Sequence, residues 1–208
     1  MAGEEIKIIG AAKLETGVHA MGQVANFTTS CDKKEYEIKH YLNQYLPRDI
    51  AVTQVDEVPE RFHSSLNAAS YVYEYRITMG EVANVFERKY NYYSFHRLDV
   101  SAMRQAVKEM VGVHDFKALA NHKKMKKSTI REVESIEVLP GLNQVTIRII
   151  VDDAWPYMIR KLVAVLMEVG RGSMTKEKAI QLIDAGDATK LALMAEPQGL
   201  FLVDVNYR

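Results

Sequence analysis

A carboxylate in a short turn-like run is the first feature of this 208-residue chain that could support chemistry. Glu15 lies in the segment AAKLETGVHAMGQVANF, between two apolar stretches and two residues before Gly17. Glycine permits a sharp turn, and a carboxylate on a tight turn beside a strand can be held stiffly enough to act on a substrate. A loop carboxylate is more often a solvent-facing side chain, so the rest of the sequence must decide between these roles.

Three other side chains stand in positions that fit either chemistry or structure. His19 follows Glu15 by four residues, and a lone histidine is most often a hydrogen-bonded structural group. Tyr73 lies in an alternating aromatic run and fits either a sheet core or a platform for stacking a nucleobase. Arg160 falls in the first turn of the clearest helix, where the helix dipole disfavours a cation. It therefore needs a carboxylate or phosphate partner, unless its side chain reaches back to water.

Charge is balanced over the chain but uneven along it. Lys plus Arg and Asp plus Glu number 27 each, so net charge does not indicate a nucleic-acid partner. The run NHKKMKKSTIR nevertheless contains no acidic residue, and its cations fit a patch that binds RNA phosphates or a solvated surface loop. These cations are Lys123, Lys124, Lys126, Lys127 and Arg131.

Composition excludes several classes of protein. Hydrophobic residues make up 48% and charged residues 26%, which is typical of a soluble globular domain. No run is long enough to span a bilayer and the N-terminus does not resemble a secretory signal, so we expect a cytoplasmic protein without a membrane partner. The single cysteine, Cys31, excludes an internal disulfide, and the histidines lack metal-ligand spacing, so no metal is expected.

The first part of the chain predicts strands around one helix. A strand is expected over 18–27, after the Glu15 loop, and a helix over 32–47, with Asp32 as its N-cap and Pro47 at its end. Alternation predicts two further strands, over 50–58 and 71–78.

The second part predicts three helices and three strands. Helices are expected over 100–111, within MIRKLVAVLMEVGRG and over 175–185, with strands over 131–139, 143–151 and 200–207. The whole pattern indicates an α+β fold with an antiparallel-rich sheet. We divide the chain into an N-terminal half, residues 1–90, and a C-terminal half, residues 91–208.

A series of ordered blocks resembles the tRNA pseudouridine synthase A family over nearly the whole chain. The blocks are GVHAMGQVANF, LPRDIAV, RFHSSLNAASYVYEYRI, GVHDFKAL, KSTIREV, YMIRKLVAVLMEVGRG and EPQGLFLVDVNY. The resemblance implies the pseudouridine synthase fold: two tandem ferredoxin-like, RRM-like α+β halves that share an antiparallel-rich sheet. The first half here is expected to lack the family's leading strand and helix.

The resemblance also implies an activity and the residues that carry it. Family enzymes isomerise uridine to pseudouridine in the tRNA anticodon arm as homodimers, without metal or cofactor. Glu15 falls on the catalytic aspartate, Arg160 on the arginine that pairs with it and Tyr73 on the stacking tyrosine. Lys13 and His19 flank the catalytic position and are assigned to substrate binding, while the basic run and Arg131 are assigned to tRNA.

The catalytic loop departs from the family pattern. Where the family reads Gly-Arg-Thr-Asp, this chain has Lys13 for arginine, Leu14 for threonine and Glu15 for aspartate. Lysine lacks the bidentate fork of arginine, and the longer side chain can shift the carboxylate by roughly 1 Å, an error that can cost on the order of 100-fold in rate. Ala154 and Trp155 also replace the family's Phe-Leu before the arginine-bearing helix.

Four interpretations follow. The first is a pseudouridine synthase in which Glu15 replaces aspartate, and the second is a catalytically inactive RNA-binding relative. The third, a generic α+β interaction domain with a solubilising lysine run, does not explain the ordered blocks. The fourth is a truncated gene product whose absent strand exposes a sheet edge.

Overall fold

The computed structural model describes residues 3–120, 128–184 and 193–208. Lys123, Lys124, Lys126 and Lys127 of the predicted basic patch lie outside these residues. The chain forms two compact units, one of Met1–Ala11 with Val24–Asn67 and the other of Ala12–Gln23 with Ala68–Arg208. The division into halves at residue 90 stays a prediction.

The described residues form both strands and helices, which confirms the mixed α+β class. The strands are β1 (Ile9–Gly10), β2 (His19–Ala20), β3 (Ala25–Asn26), β4 (Ala68–Met79), β5 (Tyr92–Ser94), β6 (Gly112–Asp115), β7 (Ile130–Gly141), β8 (Gln144–Val151) and β9 (Leu200–Tyr207). The helices are α1 (Glu35–Tyr45), α2 (Val100–Val107), α3 (Met158–Gly170) and α4 (Lys176–Asp184).

The first unit contains the antiparallel pair β1–β3 and the helix α1. The backbone N–H of Lys34 donates to the Glu37 carboxylate at 2.9 Å, and Lys34 is the N-cap of α1, two residues after the predicted cap, Asp32. It ends before Pro47, as predicted.

The predicted strand over 50–58 is wrong, because these residues form no strand. The side chain of Asn43, on α1, hydrogen-bonds both backbone groups of Val52, at 2.7 and 2.8 Å. A side-chain amide thus takes the place of a neighbouring strand. The strand predicted over 18–27 is also wrong as a continuous element, since only the two short strands β2 and β3 form there.

The second unit is built on a seven-stranded sheet, counted over its described residues. The order is β2-β9-β4-β8-β7-β6, and β5 pairs with an end of β4. The central strand β4 is antiparallel to both β8 and β9, while the β2–β9 and β4–β5 pairs are parallel. The sheet is therefore antiparallel-rich, as predicted, and the tandem repeat of two halves stays a prediction.

One face of this sheet forms the core. Tyr75 and Ile77 on β4 lie opposite Ile147 and Val145 on β8, and all four side chains are buried. Helix α2 packs on β7 and on α3. The helix predicted within MIRKLVAVLMEVGRG is present as α3 and is buried over most of its length.

Several boundaries differ from prediction. Helix α2 ends at Val107, four residues early. The short strands β5 and β6 were not predicted, because three or four residues are too few to show a period. Within the described part of the chain, no helix is long and apolar enough to cross a membrane.

Candidate active site

Glu15 opens a tight turn. The backbone N–H of Val18 donates to the Glu15 carbonyl at 3.1 Å, and Gly17 adopts a left-handed φ of 84°. A Cβ added at Gly17 would approach Pro197 Cγ to 3.0 Å, so both conformation and space require glycine there. The turn predicted from sequence is present.

The loop that carries Glu15 is fixed at both ends. The Gln23 side-chain amide hydrogen-bonds both backbone groups of Ala12, at 2.8 and 3.2 Å, and closes the loop. Beyond the turn, β2 pairs with β9, and the Met21 N–H donates to the Leu202 carbonyl at 2.7 Å. Glu15 is thus held against the sheet by backbone bonds.

His19 is packed and hydrogen-bonded. Its ring lies 4.9 Å from the Phe201 ring and 5.0 Å from the Tyr90 ring, measured between centroids. Its Nε2 donates to the Lys89 carbonyl at 2.6 Å. These contacts support the structural role considered for this histidine, and substrate binding by His19 stays a prediction.

Arg160 and Glu15 form a largely buried ion pair across 145 residues of chain. Arginine Nη1 donates to Glu15 Oε2, and the two side chains are only 8% and 18% exposed. Arginine Nε donates to the Ala195 carbonyl at 2.7 Å. The cation in the first turn of α3 therefore has the carboxylate partner that its position requires.

The second oxygen of Glu15 accepts a bond that the sequence did not predict. The backbone N–H of Tyr157 donates to Glu15 Oε1 at 2.7 Å, and Tyr157 has a left-handed φ of 70°. The carboxylate thus lies at the N-terminus of α3, where the helix dipole favours negative charge. We call Glu15, Tyr157, Arg160 and Ala195 the carboxylate clamp. A backbone donor leaves no signal in residue type, so pattern reading could not find it.

Tyr73 is buried on the core side of β4, opposite Ile149. Burial raises the pKa of its hydroxyl above the usual range, and the acidic groups of Tyr71, Asp153 and Glu15 raise it further. The hydroxyl therefore stays protonated at neutral pH and can donate a hydrogen bond.

The two remaining candidate residues within the described part of the chain, Lys13 and Arg131, differ in exposure. Lys13 is exposed on the Glu15 loop. Arg131 is turned inward: its side chain is 10% exposed, its Nη2 donates to Asp153 at 3.1 Å and its guanidinium lies 5.0 Å from the Trp155 ring centre. Its predicted contact with RNA is not tested by this arrangement. Among the described residues, no group of three or more His, Cys, Asp or Glu side chains could hold a metal ion.

Comparison with known proteins identifies the family. A sequence model described as tRNA pseudouridine synthase matches residues 1–66 and 106–208. Similar to the chain are tRNA pseudouridine synthase A 2 of Bacillus anthracis, 42% identical over 207 residues, and tRNA pseudouridine synthase A of Bacillus sp. (strain KSM-64), 38% identical over 207 residues. Each alignment covers 100% of this chain and 84% of the relative. The chain belongs to the tRNA pseudouridine synthase family.

Membership confirms the resemblance read from the sequence blocks, and the mixed α+β sheet structure fits the pseudouridine synthase fold. A more distant member, tRNA pseudouridine synthase A 2 of Clostridium perfringens (strain 13 / Type A), is 35% identical over 204 residues, or 98% of this chain and 84% of that one. Pseudouridine synthases isomerise uridine to pseudouridine in RNA. The catalytic role of Glu15 stays a prediction.

The ion pair of the clamp can be tested by its effect on stability. We expect Arg160→Met to lower the free energy of unfolding by about 3–5 kcal/mol, because it leaves the Glu15 carboxylate with one donor in a poorly solvated site. The loss should shrink by at least about 1 kcal/mol in a Glu15→Gln background, where no charge is left unpaired. Urea unfolding of the four proteins measures both values.

The matched control is Lys176→Met, which breaks the exposed pair with Glu109 (N to O distance 3.5 Å) on the same unit. An exposed pair contributes about 0–1 kcal/mol. Equal losses for Arg160→Met and Lys176→Met would show that the Glu15–Arg160 pair is energetically an ordinary surface pair.

Proposed function

We propose that this chain isomerises uridine to pseudouridine in the anticodon arm of tRNA, with Glu15 as the catalytic carboxylate. The observation that carries the proposal is the carboxylate clamp, which holds both oxygens of Glu15 on donors from α3 and the residue before it. Family membership supplies the reaction class, and the resemblance of the sequence blocks supplies the anticodon arm.

The reaction balances without a cofactor because the product is an isomer of the substrate. The bond from sugar C1′ to uracil N1 breaks, the base turns over, and a bond from C1′ to uracil C5 forms. The C5 proton leaves and N1 gains a proton. Glu15 starts the cleavage at the sugar, on a uridine flipped out of its stack.

Each other residue has a supporting role in this proposal. Arg160 holds the Glu15 carboxylate in position and balances its charge while water is excluded. The resemblance assigns contact with the base to Tyr73, whose buried hydroxyl is protonated at neutral pH. Lys13 and His19 line the approach to the turn.

A second function, RNA binding without catalysis, is favoured by one specific observation. Both Glu15 oxygens already accept protein hydrogen bonds. A side chain one methylene longer than aspartate can reach the clamp and still miss the sugar. Under this alternative the chain keeps the scaffold and the tRNA surface but performs no isomerisation.

The two functions separate in an assay of pseudouridine formation on unmodified tRNA by wild type, Glu15→Asp and Glu15→Gln. We expect wild type to be active and Glu15→Gln to be slower by about 100-fold or more, since the amide cannot replace the ionised carboxylate. The Gln variant preserves shape and is the matched control for the charge.

Each other outcome has a distinct meaning. Equal activity of wild type and Glu15→Gln would remove Glu15 from the mechanism. Activity in Glu15→Asp alone would identify an enzyme disabled by its longer side chain. If none of the three proteins forms pseudouridine but all still bind tRNA, the chain is an RNA-binding protein without catalytic activity.

The basic run is proposed to bind tRNA phosphates, and its contribution should depend on salt. We expect replacement of Lys123, Lys124, Lys126 and Lys127 by Gln to reduce the slope of log K against log salt by about 0.7–0.9 per lost phosphate contact. The exposed α4 variant Lys176→Gln/Lys178→Gln is the control. A slope unchanged from wild type would show that the run does not contact RNA.

The resemblance and the composition extend the proposal to a cytoplasmic homodimer. The dimer is supported by apolar side chains exposed between β4 and β5, where Val82 is 86% and Phe86 is 90% exposed. Exposed apolar patches are typical of protein interfaces, and sedimentation of the purified chain measures this state.

A further inference from the structure

The segment 152–157 delivers one of the two donors to Glu15. It connects β8 to α3, and its last residue, Tyr157, donates its backbone N–H to Glu15 Oε1 at 2.7 Å. A backbone donor cannot move independently of its segment. Whatever fixes the segment therefore fixes this half of the carboxylate clamp.

The start of β7 holds the segment through two sets of contacts. Asp152 N–H donates to the Glu132 carbonyl and Glu132 N–H donates to Asp152 Oδ1, both at 3.1 Å. The side chain of Arg131 contacts the next part of the segment, donating to Asp153 Oδ2 at 3.1 Å. The Arg131 guanidinium also lies 5.0 Å from the Trp155 ring centre, within the range of a cation–π interaction.

The Arg131 guanidinium is largely buried and is hydrogen-bonded within the chain. Its side chain is 10% exposed, and Nη1 also donates to the carbonyls of Ser128 and Ile130, at 3.0 and 2.6 Å. Its Nε is buried without an acceptor among the described residues. Its donors are directed at Asp153 of the segment and at the two carbonyls that precede Arg131 along the chain.

The backbone of Tyr157 gives the segment a reason to need an anchor. A bulky side chain at a φ of 70° is sterically disfavoured. Such a conformation persists only where the surrounding structure over-determines it. If the segment were released, Tyr157 would relax towards negative φ and its N–H would turn away from Glu15.

We propose that Arg131 is a positioning residue of the active site, acting through Asp153, Trp155 and the Tyr157 N–H on the Glu15 carboxylate. Its effect on isomerisation rests on the proposed function, but its effect on the segment does not. It differs from the RNA-binding role predicted from sequence, because a positioning residue affects the turnover number and a phosphate contact affects tRNA affinity.

The chain offers a direct probe, because Trp155 is its single tryptophan. We expect Arg131→Gln to increase acrylamide quenching of Trp155 fluorescence at least about 2-fold, as the ring loses its cationic cover. Hydrogen exchange at the Tyr157 amide should quicken at least about 10-fold. Both readouts are made on the folded chain without RNA, so they remain informative if wild type has no activity.

Activity distinguishes the two roles of Arg131. We expect kcat in Arg131→Gln to fall about 10–100-fold, since misplacement near 1 Å can cost that much. The KM for tRNA and its salt dependence should stay within about 2-fold of wild type. Arg131→Lys should recover little, because lysine lacks the planar fork that reaches Asp153 and Trp155 together.

Two further variants complete the design. Arg104→Gln is the matched control, since Arg104 donates to a carbonyl of the same strand, Val138 at 2.9 Å, and should leave Trp155 and kcat unchanged. Asp153→Asn removes the partner charge at a side chain that is 58% exposed, so it tests the anchor if Arg131→Gln does not fold. It should shift the same readouts in the same direction by a smaller factor.

Two results would overturn the proposal. Unchanged Trp155 quenching and Tyr157 exchange in Arg131→Gln, or in Asp153→Asn where only that variant folds, would show that the segment does not depend on Arg131. A raised KM with a reduced salt slope and an unchanged kcat would make Arg131 a phosphate contact. If Arg131→Gln changes Trp155 quenching and Tyr157 exchange but wild type forms no pseudouridine, Arg131 does hold the segment and the proposed function is wrong.

Discussion

The structure of the second unit depends on placing one carboxylate next to one guanidinium in a site from which most water is excluded. Glu15 and Arg160 are separated by 145 residues, and neither side chain would be stable alone at its observed exposure. Removing two charges from water is costly, and only close geometry with further hydrogen bonds offsets that cost. The site supplies such bonds through the Tyr157 N–H and the Ala195 carbonyl.

This constraint explains the loops on either side of the pair. The carboxylate is fixed in the absence of substrate by three features of the chain. They are the glycine turn after Glu15, the hydrogen bonds between the Gln23 side chain and Ala12, and the β2–β9 pairing. The segment 152–157 fixes its donor from the other side. A carboxylate held in this way loses little freedom when a nucleotide binds, which favours the catalytic role proposed for Glu15. In that role, the rigid site cannot adjust to a side chain that is one methylene longer than aspartate.

Sequence reasoning predicted the parts of the site that follow from local pattern. A signal in residue order comes from the period of α3, the alternation of β4 and the cation in the first turn of α3. The cation implied a carboxylate or phosphate partner for Arg160 unless its side chain reached back to water. The strand predicted over 50–58 is absent, and at Val52 the Asn43 side chain makes the two backbone hydrogen bonds that a neighbouring strand would have made. The Tyr157 donor and the inward Arg131 depend on backbone conformation and on contacts distant in sequence, which composition and spacing do not record.

The role of the Glu15–Arg160 pair in the chemistry is tested by the single-turnover rate of pseudouridine formation by Arg160→Lys at saturating protein. Lysine keeps the charge but cannot bond Glu15 and the Ala195 carbonyl with one rigid fork, so the carboxylate loses its fixed position. We expect a rate about 10–100-fold below wild type with unchanged tRNA affinity. A rate equal to that of wild type would show that the carboxylate clamp has no part in the chemistry.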